Sequence, residues 1–396
     1  MSRFFVNSAK YRYLYNFAFL FLLIAVAAEV FLLDMDFGML AVIEYIGLIL
    51  ASFMCIVRFR RGRIDESVLF IFSFILYVVL LQFLNISNIK LGALANFLGG
   101  PVLLLLYAVI SRRITVKANR ALLVFSAVVG VIASIMICIN NQNGFADRTK
   151  IHILTEYTTN ANAIAYPIAL SLLIMLYGIL RHYKRFNLLK KAVLVASMGI
   201  NAYTLYFVQS RGAIVSGFIG ALVLLLTNIR SKRFAKMSIV VLPIIAAIGI
   251  VAFVYLSNER NIDFLNSNGR TDLWLIALSE WVKHPVFGNN VYLTYGIHPS
   301  SHNLYFDLLS QVGIVGFVLF ALIIATLFKR IKNKRSRAFV AFAFCQSLID
   351  ANSMVYILLA LVCACAADVI ETQDNINYYF SKRVRKHVIQ RHSAHI

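Results

Sequence analysis

Charge is scarce in this chain. Asp, Glu, Lys and Arg make up 14% of the 396 residues, against 61% hydrophobic, whereas a water-soluble domain carries about a quarter charged residues. The shortage excludes an ordinary globular fold in water, which would need far more polar surface to cover its core. Phosphate loops are also missing: neither GxxxxGK[ST] nor GxGxxG occurs, which argues against ATP hydrolysis. There is no HExxH pattern. His298 and His302 stand four apart, but Pro299 between them and the lack of a third ligand argue against a zinc pair. No metal or cofactor is expected. The five cysteines, Cys55, Cys138, Cys345, Cys363 and Cys365, all fall inside apolar blocks. Their spacing suggests neither a disulfide framework nor a metal site, so they read as small buried hydrophobes.

What the chain does have is long apolar blocks. Spanning roughly 30 Å of hydrocarbon takes about 20 helical residues, and most blocks reach that length. They predict twelve membrane helices at about 15–33, 38–57, 66–84, 91–110, 121–140, 161–180, 192–209, 212–229, 238–256, 303–328, 338–350 and 353–370. The segment 338–350 is short for a span. Ala25-Val26-Ala27 resembles a signal-peptidase site, but the apolar run continues to Leu33, so the first block reads as an uncleaved helix. The expectation is an all-α, polytopic membrane protein with a single membrane domain over 1–396.

The net charge of +21 reflects topology rather than nucleic-acid binding. Lys and Arg cluster at 3–12, 58–63, 112–120, 181–191, 230–236, 329–337 and 382–391, with paired apolar blocks between clusters. Placing these clusters in the cytoplasm follows the positive-inside rule and puts both termini there. It accounts for 31 of the 38 basic residues. The exceptions are Lys90, Arg148, Lys150, Arg211, Arg260, Arg270 and Lys283. Two outer loops are long. That near 141–160 carries Arg148, His152 and Glu156, and that at 257–302 is the longest. Within the latter, 271–283 reads as a helix whose Trp274, Leu278 and Trp281 share one face, suited to the membrane surface.

Arg211 is the most informative exception. It lies in Gln209-Ser210-Arg211-Gly212-Ala213, where a helix begins at the outer side. Ser210 can cap that helix. Free N–H groups, the helix dipole and a guanidinium then make a site suited to phosphate or diphosphate. An interfacial Arg reaching lipid headgroups fits equally well. Arg270 repeats the pattern after Asn268-Gly269, with a capping turn or a pair with Asp272 as the plainer reading. His302 sits where the long loop meets the tenth span, and a neutral imidazole there can serve as general base. Glu156 and Asp307 are competing bases near the outer face. Glu29 and Glu44 fall inside apolar blocks, where ionisable groups are costly, and are the residues a proton-coupled transporter would use.

Three segments together resemble the signatures of the O-antigen ligase and polymerase superfamily. They are Gln209-Ser210-Arg211-Gly212-Ala213; Gly269-Arg270-Thr271-Asp272-Leu273-Trp274 continuing to His284-Pro285-Val286-Phe287-Gly288; and Ser301-His302-Asn303-Leu304-Tyr305 continuing to Gln311-Val312-Gly313-Ile314-Val315-Gly316. The similarity is strongest over 205–325. Asn160 and Asn162 match a looser family position. The resemblance implies a fold like that of the C-type membrane glycosyltransferases and an inverting, metal-independent transfer. The implied donor is a polyprenyl-diphosphate-linked glycan, used at the outer face of a bacterial inner membrane. Arg211 and Arg270 would then hold the diphosphate and His302 would activate the acceptor hydroxyl. A repeat-unit polymerase of O-antigen or capsule and a ligase acting on the lipid A core both fit. A secondary transporter or lipid-linked oligosaccharide flippase also has about twelve helices, but it places its working charges at mid-membrane.

The topology is open to a direct check. In a cysteine-free background, an impermeant thiol reagent applied from outside should label Ser267→Cys and leave Ser231→Cys unlabelled; the reverse pattern would invert the assignment.

Overall fold

The computed structural model describes residues 9–31, 37–59, 65–84, 91–111, 113–141, 161–182, 186–208, 210–228, 269–291, 293–295, 300–349 and 354–393. These residues form twelve helices: α1 (Ala9–Phe31), α2 (Phe37–Phe59), α3 (Glu66–Leu84), α4 (Leu91–Ile110), α5 (Val116–Asn140), α6 (Ala161–His182), α7 (Leu188–Val208), α8 (Arg211–Asn228), α9 (Arg270–Lys283), α10 (Leu304–Arg330), α11 (Arg337–Ile349) and α12 (Met354–Ser393). Helix is what an apolar chain in lipid must adopt, because it satisfies each backbone N–H and C=O within the segment. Nine helices among the described residues are long and apolar enough to cross a membrane, and the apolar parts of α4 and α11 are shorter. The chain is a polytopic membrane protein. The span expected at 238–256 lies outside the described residues, as do Arg148, Lys150, His152, Glu156, Asn160, Arg260 and His298.

Burial ranks the helices. The apolar part of α12 is 89% buried, whereas that of α7 is 22% buried. A helix apolar on every side belongs in the middle of a bundle, and Met354 to Ala367 is such a stretch. Helix α12 packs against α4, α5 and α11, while α4 also contacts α1, α2 and α3. Sparse polar links pin the helices to each other. Asn201 of α7 donates to Ser171 Oγ of α6 at 2.9 Å, and Ser171 donates to the Ala127 carbonyl of α5 at 2.7 Å.

Helix α12 corrects one expectation. It does not stop near 370 but runs for 40 residues. No Gly or Pro occurs between 354 and 393 to end it. Its polar continuation acts as a post to which other helix ends are tied. Glu371 takes Arg181 from the end of α6 at 3.2 Å and Arg335 from the turn before α11 at 3.3 Å. Asp374 pairs with the same Arg181 and with Arg120 of α5. Asp368 accepts the Asn333 backbone N–H at 2.7 Å, and Arg335 also reaches Asn228 Oδ1 at the end of α8, 2.7 Å away. Several residues of the basic clusters are thus partners of α12.

Side-chain exposures of 6% for Arg181 and 11% for Glu371 make this pair costly to break. Glu371→Ala should destabilise the protein by about 3 kcal/mol, near the lower end for a severed buried pair because Asp374 remains, read as a lowered Tm in detergent.

Candidate functional site

Three helices begin at the end of the bundle opposite the α12 post, and each carries a candidate residue at its start. Arg211 is the first residue of α8 and is half-buried. Ser210 before it is fully buried, but its Oγ lies 3.5 Å from the Ala213 N–H, so the cap expected there is a long one. Gly212, Ala213 and Ser216 are all buried; these small residues let α8 lie close to its neighbours. Arg270 opens α9 directly after Gly269, which adopts φ 76 and offers no side-chain cap.

His302 stands two residues before α10 in a tightly bonded turn. Asn303 is the helix cap and accepts from the N–H groups of Tyr305 and Phe306 at 3.0 and 3.3 Å. The buried Asp307 accepts from the Ser301 N–H at 2.8 Å and from the Ser300 hydroxyl at 2.7 Å. Ser300 Oγ in turn accepts from the His302 N–H at 3.0 Å. These bonds hold His302 at φ 61, the one positive φ outside glycine among the described residues. A left-handed conformation costs an L-residue roughly 1–2 kcal/mol. Asp307, a competing base in sequence, has its oxygens engaged in ordering the turn that carries His302.

A chain of contacts relates the three starts. Helices α8 and α11 run antiparallel, since Asn228 at the end of α8 meets Arg335 just before α11, and Ser216 lies beside Cys345 near the other end. Arg211 thus lies at the level of the end of α11. There Asn303 Nδ2 donates to the Leu348 carbonyl at 3.3 Å and Ser347 bonds Tyr305 at 2.9 Å, bringing in the start of α10. Helix α9 packs on α10 through Leu273, Ala277 and Trp274, whose ring centre is 5.8 Å from that of Phe306. It is therefore braced on the bundle by these residues, while Leu275, Val282 and Phe287 remain exposed and apolar. The indole N–H of Trp274 is buried without a hydrogen-bond partner among the described residues, a donor the sequence reading treats only as part of an apolar face.

The segment directly after α9 is bound to α10 through backbone hydrogen bonds. Expected as one continuous helix, α10 is broken at Gly313, with φ 66 and ψ −171. The break frees ladder groups, and residues 285–289 take them up. Ile314 N–H donates to the Pro285 carbonyl at 3.0 Å, Val315 N–H to Val286 at 3.3 Å, and Asn289 N–H to the Ser310 carbonyl at 2.8 Å. Tyr77 of α3 donates to the Val312 carbonyl at 2.8 Å. Such close contact requires glycine on both sides: a Cβ on Gly288 would stand 2.4 Å from the Gln311 backbone, and one on Gly313 would stand 2.3 Å from the Val286 carbonyl. Trp281 Nε1 donates to the Pro285 carbonyl at 3.2 Å, and Asn289 donates to Glu280 at 2.9 Å. Lys283 pairs with Glu280; that ammonium, with Asn289 beside it, holds the Glu280 carboxyl below the usual carboxylate range. Burial, reinforced by Asp307, pushes the Tyr295 phenol up, and it stays a neutral partner of Ser310 at 2.6 Å.

Among the described residues no three of His, Cys, Asp and Glu gather as a metal site would need. Arg211 and Arg270 each stand at a helix N-terminus, where anions are favoured, and His302 stands on a bonded turn. Residues 196–321 match the family model described as O-antigen ligase. The match runs from within α7 into α10 and takes in Arg211, Arg270 and His302. None of the curated proteins compared with the chain matches it.

Gly313→Ala should cost about 3 kcal/mol, the top of the range for forcing an L-residue into a sparsely populated backbone region, because the 285–289 strap must shift as well. A Tm within 2 °C of the parent would show that the junction is not needed.

Proposed function

With an O-antigen ligase domain over residues 196–321 as the premise, we propose that the protein transfers a glycan from a polyprenyl-diphosphate carrier to an acceptor hydroxyl at the outer face of a bacterial inner membrane, as a repeat-unit polymerase. The observation that carries the reading is the placement of three helix starts, bearing Arg211, Arg270 and His302, at one end of the bundle and inside the matched segment. The acceptor oxygen attacks the anomeric carbon as the bond to the diphosphate breaks, which inverts the configuration there. His302 takes the hydroxyl proton. Negative charge grows on the leaving diphosphate, where Arg211 and Arg270, with the N–H groups of α8 and α9, are held ready to meet it. Preorganised donors of this kind do not have to reorient as charge develops. A diphosphate leaves without protonation, so the site requires no general acid. The polyprenyl tail stays among membrane helices while the glycan extends toward the 257–302 loop. Twelve spans in a C-type glycosyltransferase arrangement, with basic turns and both termini cytoplasmic, complete the proposal.

Reconstitution with a polyprenyl-diphosphate oligosaccharide tests it. Free polyprenyl diphosphate should appear, about 100-fold more slowly or worse in Arg211→Ala or Arg270→Ala, as for loss of one charge-stabilising donor, and about 100- to 10,000-fold more slowly in His302→Ala. Lengthening of the lipid-linked glycan identifies a polymerase; transfer only when lipid A core is added identifies the ligase that the family description names. No release of polyprenyl diphosphate by the parent protein, with cellular function lost in Glu29 or Glu44 variants and kept in His302→Ala, would instead favour the transporter reading.

A further inference from the structure

Away from these helix starts, two carboxyl side chains are buried in the apolar bundle with no basic partner among the described residues. Glu29, near the end of α1, is 2% exposed, and Glu44, in the second turn of α2, is 6% exposed. They converge on Gly99 of α4. The position a Cβ would take on that glycine is 2.0 Å from Glu44 Oε1 and 3.0 Å from Glu29 Oε1. Glycine at 99 is therefore what makes room for both carboxyls. The helices that carry them pack on one another. Helix α12 adds Tyr356, whose hydroxyl donates to the Glu29 backbone carbonyl at 3.0 Å, so it does not serve the carboxyls.

Glu29 Oε2 and both oxygens of Glu44 are buried without a hydrogen-bond partner among the described residues. Among the described residues, the charged group acting on each carboxyl is the other one. Two ionised carboxylates here would each bear the cost of leaving water and would repel each other. Carboxylate oxygens only accept hydrogen bonds, so the contact between these side chains becomes a bond only when one of them is protonated.

We propose that Glu29, Glu44 and the notch at Gly99 form a proton-binding site, in which the facing carboxyls hold at least one proton at neutral pH and share it as a hydrogen bond joining α1 to α2. Its ligand is a proton rather than a metal cation, because the two carboxyls face each other across a space that one glycine side chain leaves open. The site is independent of the transferase reading: it lies on other helices and its test does not use activity.

Infrared spectra of the full-length protein in lipid nanodiscs read the proton directly. At pH 7 in potassium buffer the wild type should show a carboxylic-acid C=O band that shifts in D2O. That band should be absent from the Glu29→Gln/Glu44→Gln double variant. The single variant Glu29→Gln supplies an N–H in place of the O–H, keeps the contact, and should shift or weaken the band while leaving Tm within about 3 °C, so a folding failure of the double variant does not blunt the test. Gly99→Ala, whose methyl would stand 2.0 Å from Glu44 Oε1, should also shift it. The proposal is overturned if wild type and Glu29→Gln have the same acid band at pH 7. It is equally overturned if replacing potassium by sodium converts the band to that of carboxylate, which would make the ligand a metal cation.

Discussion

The break in α10 at Gly313 is the constraint from which the candidate site follows. A helix interrupted in an apolar bundle exposes N–H and C=O groups that no water is present to satisfy, and each costs a few kcal/mol if left bare. Here the 285–289 strap takes up Ile314, Val315 and Ser310, and Tyr77 takes up Val312. The exchange fixes the strap, and the strap fixes α9 above the start of α10 through Trp281 and Asn289. The start of α9, with Arg270, is positioned through this same assembly. Glycine at 288 and 313 is the chemical condition for it, because the two backbones approach closer than any Cβ allows.

The two ends of the bundle are held by different physics. At the basic end, arginines from α5, α6 and the turn before α11 converge on the carboxylates of one long helix, an arrangement whose strength comes from charge in a partly dry setting. At the other end the ties are backbone hydrogen bonds, caps and small residues, and guanidiniums stand at helix starts where N–H groups favour anions. The turn that carries His302 is held at positive φ by Asp307, Ser300 and Ser301, whose bonds offset the local backbone strain.

Several features were legible because they depend on composition along short stretches. Apolar runs and basic clusters located eleven helices close to where they stand, and the 271–283 helix was readable from its apolar spacing and its flanking Gly269 and Pro285. Arg211, Arg270 and His302 stood out as exceptions to the charge rule or as isolated chemistry at helix starts. Other features were not legible. Gly313 sits in an apolar run indistinguishable from an unbroken span, and only the strap 25 residues earlier explains its conformation. The bonds of Asp307 were not readable either, because its hydroxyl and amide donors come from a turn whose shape the sequence does not state. The length of α12 had a readable signal, the lack of Gly or Pro after 370, which the fall in hydropathy concealed.

Sequence by itself determined that this protein is a helical membrane bundle, which turns are basic, and which few residues are candidates for chemistry, because lipid solvation and charge act on each segment almost separately. Tertiary structure alone decided that α10 breaks, that Asp307 orders a turn, that Glu29 and Glu44 meet at Gly99, and that three helix starts share one end. Those outcomes depend on which distant segments touch, and hydrogen bonds and steric contacts between segments far apart in the chain leave no trace in local composition.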